Sequence, residues 1–139
     1  MQIVMINQVS VFLGMKYIVP SMKKYGAGSI INISSINGLT GGALGYTDTK
    51  FAVRGMTKAA AKELAPYNIR VNSVHPGVIN TPMVQDNPAI KQIEAMVQML
   101  PMKRMGEADE VSQLVLFLAS DDSSYSTGSE FIADGGITA

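Results

Sequence analysis

The sequence predicts an α/β protein with a parallel sheet, on three observations. Short β-branched segments alternate with longer segments of helical periodicity. The short segments have helical ones on either side in sequence, the arrangement that right-handed crossovers serve. With 139 residues, 47% of them hydrophobic and 16% charged, the chain has material for one real core.

The elements follow in order. Ile3, Ile6, Phe12, Leu13 and Tyr17, with Val9 between, mark residues 1–19 as an amphipathic helix, and a kink at Pro20 leads to Lys23, Lys24 and Gly26. Residues 29–34 read Ser-Ile-Ile-Asn-Ile-Ser, short and β-branched, as a strand buried in a parallel sheet would be. Gly38, Gly41, Gly42 and Gly45 predict a flexible connection to a second helix over 46–64, which Pro66 and Asn68 terminate. Residues 69–74 form the second strand, which His75-Pro76-Gly77 breaks. A long excursion over 81–105 contains a helix near 89–100. A third long helix spans 107–119, acidic at its start as the helix dipole prefers. The last strand covers 129–133, before Asp134-Gly135-Gly136. No repeat, linker or low-complexity segment divides residues 1–139, so one domain is expected.

Composition removes several function classes. Eleven basic and eleven acidic residues cancel, leaving no electrostatic footprint for nucleic acid or an anionic membrane. The absence of cysteine excludes disulfides, thiolate nucleophiles and Cys-ligated zinc, and a single histidine leaves little for any metal site. The first twenty residues are apolar, but Asn7, Gln8 and Lys16 interrupt them and no basic segment leads them, so a soluble, cytoplasmic chain is expected.

Tyr46 and Lys50 stand one helical turn apart on the same face. An ammonium beside a phenol favours its ionised form, the direction that acid–base work near neutral pH needs. A hydroxyl at the end of the preceding strand, Ser34 or Ser35, is placed to hold a substrate oxygen against the tyrosine. Such Tyr/Lys spacing also arises on solvated helix faces, so the context of the pair decides its meaning. His75, before a Pro-Gly turn, reads as a structural loop residue rather than a general base. Met96, Met99, Met102 and Met105 recur at three-residue spacing; flexible thioethers suit an adaptable apolar pocket, with core or interface packing the plainer alternative.

The order Asn7, Ser34-Ser35, Tyr46-x-x-x-Lys50, Asn72-Ser73-Val74-His75-Pro76-Gly77, Thr81 and Asp134-Gly135-Gly136 resembles the short-chain dehydrogenase/reductase family along nearly the whole chain. Within it the sequence is most similar to the bacterial hydroxysteroid-dehydrogenase and ketoreductase branch. The resemblance implies a catalytic tetrad of Asn7, Ser35, Tyr46 and Lys50. Tyr46 would be the acid–base, Ser35 would polarise the carbonyl, Lys50 would bind the nicotinamide ribose, and Asn7 would hold a relay water. Pro76, Gly77, Ile79 and Thr81 would join Tyr46 and Lys50 in contacting NAD or NADP.

The implied fold is the C-terminal half of a doubly wound Rossmann-type sheet, strands five to seven with their helices, with the N-terminal nucleotide-binding half absent. The residue that selects NAD or NADP belongs to that other half. The implied reaction interconverts an apolar secondary alcohol and its ketone by hydride transfer. Lyase or epimerase chemistry on the same Tyr/Lys pair is one alternative; an inactive fragment serving as a dimerisation module is another. A homodimer or homotetramer is implied through helices near 1–25 and 46–65, and the edge of 29–34 would be left bare. Two departures stand out: only ten residues separate Ser35 from Tyr46, fewer than is usual, and Asp48-Thr49 replace small residues before the lysine.

Overall fold

The computed structural model describes residues 1–139. Strands β1 (Gly28–Ile33), β2 (Ile69–Pro76) and β5 (Glu130–Ala133) form one parallel sheet in the order β1-β2-β5. The register runs from Gly28 opposite Ile69 to Ile33 opposite Val74, and from Ser73 opposite Glu130 to Pro76 opposite Ala133. β2 is the central strand, so Ile69, Val71, Asn72, Ser73, Val74 and His75 are all buried. This strand runs beyond its expected end. His75 and Pro76 still pair with β5, because the ladder on that side asks Pro76 for no N–H; Gly77 N–H makes the next bond, to Ala133 O, at 3.0 Å.

The N-terminal helix is longer than the sequence predicts. It comprises α1 (Gln2–Val4), a π-helical turn (Met5–Val9) and α2 (Ser10–Tyr25), and it passes through Pro20 to stop at Gly26, whose φ of 85° is left-handed. Pro20 removes one helical hydrogen bond. Packing on both sides outweighs it: Val11, Met15, Val19 and Met22 lie against a core of Ile30, Ala61, Leu64, Ile69 and Val71.

Helix α4 (Tyr46–Leu64) has the expected bounds. Its buried stripe is Thr49, Val53, Thr57, Ala61 and Leu64, one residue per turn. Thr57 Oγ1 donates to Val53 O at 2.8 Å and accepts from Asn32 Nδ2 at 2.9 Å, tying α4 to β1 through satisfied polar groups. The glycine-rich connection is more ordered than predicted, since Asn37–Thr40 form a helical turn, α3. Gly38 lets this turn approach α4: a Cβ there would stand 2.6 Å from Ser34 Oγ and 2.9 Å from Lys50 O.

In the excursion, α5 (Pro82–Gln85) and α6 (Ile90–Val97) replace the single longer helix expected. A two-residue parallel ladder, β3 (Ile79–Asn80) with β4 (Gly106–Glu107), closes its base. So short a pairing leaves no periodicity to read. Helix α7 (Ala108–Ala119) follows, and its last carbonyls are taken by Arg70 of β2, whose Nη2 donates to Leu118 O and Ser120 O at 3.0 Å each. Asn72 continues this seam, donating to Ser126 O at 2.7 Å and accepting from Ser129 N at 3.1 Å.

Candidate active site

Tyr46 is the first residue of α4 and Lys50 lies one turn on. Gly45, at φ 82°, turns the chain into the helix, and the Asp48 carboxylate accepts from its N–H at 3.3 Å. Thr49 is buried and its Oγ1 donates to Tyr46 O at 2.6 Å. Of the two residues Asp48 and Thr49, the first therefore helps to start this helix and the second lies on its buried face.

The Lys50 ammonium donates to Ile33 O, the last carbonyl of β1, at 3.1 Å, and lies 5.5 Å from the Tyr46 ring centroid. Burial pushes the Lys50 pKa below its ordinary value, because desolvation disfavours the charged form. Ser34 and Ser35 divide their duties. Ser34 is 3% exposed and its hydroxyl donates to Lys50 O at 3.0 Å, so it clamps the strand end to the helix. Ser35 is partly exposed; its Oγ accepts from Asn37 N at 3.1 Å, which leaves its own O–H to donate elsewhere.

Asn7 sits in the middle of the π-helical turn, which packs against α4. The fold thus brings its segment beside the Tyr/Lys helix, although no hydrogen bond joins its side chain to Ser35, Tyr46 or Lys50. Pro76 ends β2, the strand next to β1, and Gly77 follows it. Gly77 permits a close approach, since a Cβ there would lie 2.8 Å from Asp134 Cα. Ile79 is in β3 and lines a cavity of about 190 Å³ with Val78, Leu100, Met102, Val111 and Asp134. Thr81 precedes α5, with its carbonyl accepting from Val84 N and Gln85 N. Of the methionine series, Met96, Met99 and Met102 are exposed, and only Met105 is partly buried.

Two features escaped the sequence reading. His75 is not a loop residue but a fully buried strand residue, 3.1 Å through Nδ1 from Ser35 O and 2.8 Å through Nε2 from Ser73 Oγ. Glu130 Oε1 joins Arg54 Nε at 2.6 Å and Lys58 Nζ at 2.9 Å, which fastens α4 to β5; these partners, Arg54 first, hold its pKa down to about 2. Arg54 and Lys58 share a helix face by their spacing, but their anion lies far along the chain and no local pattern points to it.

Ser35, Tyr46 and Lys50 collect at the carboxyl end of β1, and Pro76 to Thr81 follow the carboxyl end of β2. Ligands of α/β sheets bind at such ends. The donor set fits the nicotinamide end of a dinucleotide on one observation: the half-buried Lys50 ammonium spends one hydrogen on Ile33, and two N–H groups remain for a pair of ribose hydroxyls.

A parallel sheet carrying a phenol, an ammonium and a hydroxyl at its carboxyl edge defines a Rossmann-like α/β protein. A family model described as enoyl-(acyl carrier protein) reductase matches residues 1–138, and the chain belongs to the short-chain dehydrogenase/reductase family. It is 54% identical over 136 residues to a 3-alpha-(or 20-beta)-hydroxysteroid dehydrogenase of Mycobacterium tuberculosis, covering 96% of this chain and 50% of that relative. It is 51% identical over 137 residues to a cyclopentanol dehydrogenase of Comamonas testosteroni, covering 96% and 55%. The crystal structure of levodione reductase superposes with a TM-score of 0.90 at 38% identity, covering 94% of this chain and 54% of that one. The chain spans about half the length of the curated relatives it matches.

Proposed function

We propose that this chain is the C-terminal, catalytic half of an oxidoreductase that interconverts an apolar secondary alcohol and its ketone with NAD or NADP. The observation that carries this reading is the placement of the Lys50 ammonium at the Ile33 carbonyl, two residues before Ser35 in the chain, and beside the Tyr46 ring. The names of its relatives, dehydrogenases of cyclic alcohols and hydroxysteroids, support the substrate class.

In the direction of reduction, Ser35 O–H donates to the ketone oxygen and holds it toward Tyr46. Tyr46 then passes its phenolic proton to that oxygen as the carbonyl carbon becomes a carbinol carbon. A bound nicotinamide supplies the hydride for this step and takes it back in oxidation. Lys50 orients the ribose and keeps a positive charge beside the phenol. Asn7 holds the water through which Tyr46 regains its proton, and Pro76, Gly77, Ile79 and Thr81 line the cofactor.

The same reading makes the protein a soluble, cytoplasmic homodimer or homotetramer. Gln2–Tyr25 is long and apolar enough to cross a membrane by length and composition. Its groove with α4, lined by Phe12, Met15, Val19, Met56 and Leu64, supports association between copies instead. That exposed face also favours a second reading, an interaction module that keeps the site only as ancestry.

Titrating the purified chain with NADH and NADPH, with nicotinamide fluorescence as the signal, separates the two. Saturable binding and ketone-dependent turnover that Tyr46→Phe lowers by roughly 10²–10⁴-fold are expected of the enzyme. A folded chain that binds neither cofactor means that the chemistry belongs to a longer parent, and that this chain is a fragment of it or an interaction module.

A further inference from the structure

The acid–base pair and the cofactor contacts leave the chain's single histidine without a role. His75 is 0% exposed at the carboxyl end of the central strand. Its two ring nitrogens reach different segments: Ser35 O at 3.1 Å and Ser73 Oγ at 2.8 Å. A carbonyl oxygen only accepts, so Nδ1 carries the hydrogen, and in a neutral ring Nε2 then accepts from the Ser73 hydroxyl. Burial acts in the same direction and outweighs the rest, lowering the His75 pKa; the bond to Ser35 O and nearby Glu130 oppose this, while Arg54 and Lys58 reinforce it.

The Ser35 carbonyl takes two donors. Beyond β1, Ser34 N bonds Val74 O at 2.8 Å and Ile36 N bonds Pro76 O at 3.1 Å, so β2 supplies acceptors to this segment. Pro76 has no N–H to give in return, and in this register the acceptor so left is Ser34 O, not Ser35 O. The imidazole is the donor that this end of β2 offers, and it shares Ser35 O with Gly38 N at 2.9 Å. Asn37 N in turn holds Ser35 Oγ. The peptide orientation of Ser35 and the direction of its hydroxyl are therefore set together.

We propose that His75, as the neutral Nδ1–H tautomer held by Ser73, is a positioning residue that fixes the Ser35 peptide and thereby aims the Ser35 hydroxyl at the substrate oxygen. This rests on the role given to Ser35 in the proposed function. The geometry also says which replacement suffices. An Asn amide nitrogen stands where Nδ1 does relative to Cβ, whereas a Gln amide reaches the Nε2 position and misses Ser35 O.

The test uses the whole chain as wild type, His75→Asn, His75→Gln and His75→Leu. Nitrogen NMR of the wild-type ring at neutral pH is expected to show the Nδ1–H form; an Nε2–H or charged ring overturns the proposal. Hydrogen exchange at Asn37 and Gly38, whose N–H groups bond Ser35, is expected to quicken about 10-fold in His75→Gln and His75→Leu and to stay near wild type in His75→Asn. Unchanged exchange in a folded His75→Gln or His75→Leu overturns it. If neither folds, the tautomer and His75→Asn still decide. In the loaded enzyme, kcat should fall between about 10- and 100-fold with cofactor KM unchanged, and recover in His75→Asn. Quickened exchange in His75→Gln and His75→Leu beside a loaded wild-type enzyme without activity would sink the proposed function and leave the clamp on Ser35; unchanged exchange in both variants beside a fully active wild type would do the reverse.

Discussion

Lys50 Nζ lies 3.1 Å from the carbonyl oxygen of Ile33, so the cation on α4 is held by the end of β1. A half-buried ammonium would otherwise lose hydration without return. The carbonyl offsets part of that cost and fixes where the charge stands relative to Tyr46, whose ring centroid is 5.5 Å away. The strand end, not the helix alone, determines the geometry of the pair.

Lys50→Met should therefore leave the fold intact and lower turnover by roughly 10²–10⁴-fold. Lys50→Arg should not rescue it, because a planar guanidinium cannot replace a compact ammonium at one carbonyl. Steady-state kinetics with a cyclic ketone, alongside thermal unfolding, checks both. Restoration by arginine would show that charge alone matters.

The adjacent serines should separate stability from catalysis. Ser34→Ala removes a buried hydroxyl's bond to Lys50 O and is expected to cost about 1 kcal/mol in urea unfolding. Ser35→Ala, at a partly exposed hydroxyl, should cost little stability and most of the turnover. Equal effects of the two on both measurements would remove the distinction.

Acid should weaken the protein in two stages with signs that can be worked out. The His75 pKa is lowered from 6.5, so below that value the unfolded chain takes up the proton first and stability falls with pH. The Glu130 pKa is lowered from 4.5 to about 2; stability from its pairing is complete above 4.5 and is lost as pH falls toward 2. Glu130→Gln should flatten the lower stage and cost about 1–2 kcal/mol at neutral pH, as expected for a partly exposed pair. Urea midpoints measured from pH 7 to 2 give both.

Arg70→Met should be among the more damaging changes away from the site. It strips donors from Leu118 O, Ser120 O and Ser123 Oγ at the end of α7. A loss of roughly 2–4 kcal/mol is expected. Amide exchange should quicken in α7 before α4, and a uniform response would show instead that Arg70 supports the whole fold.

Much of this was legible in the chain. The β-branched run near 29–34 and the helix from Tyr46 to Leu64 emerge where their patterns place them, because local periodicity and the Pro66 stop agree with the tertiary environment. Pro20 misled, since a proline's local cost says nothing about the apolar contacts that hold the helix on both sides of it. The pairing of β3 with β4 was invisible because two residues carry no period.

The sequence by itself pointed to most of the elements, to their parallel alternation and, through short-range spacing and residue type, to Tyr46, Lys50 and a hydroxyl of Ser34 or Ser35 as the candidates for chemistry; the choice of Ser35 came from the family resemblance. Only the tertiary structure decided that Ser34 clamps while Ser35 stays available, that His75 is buried in β2 against the Ser35 carbonyl, and that Glu130 grips the helix bearing Tyr46. Hydrogen bonds and ion pairs between strands and helices depend on which distant residues the parallel register brings side by side, and that register is settled by burial of the whole sheet, not by any local run of sequence.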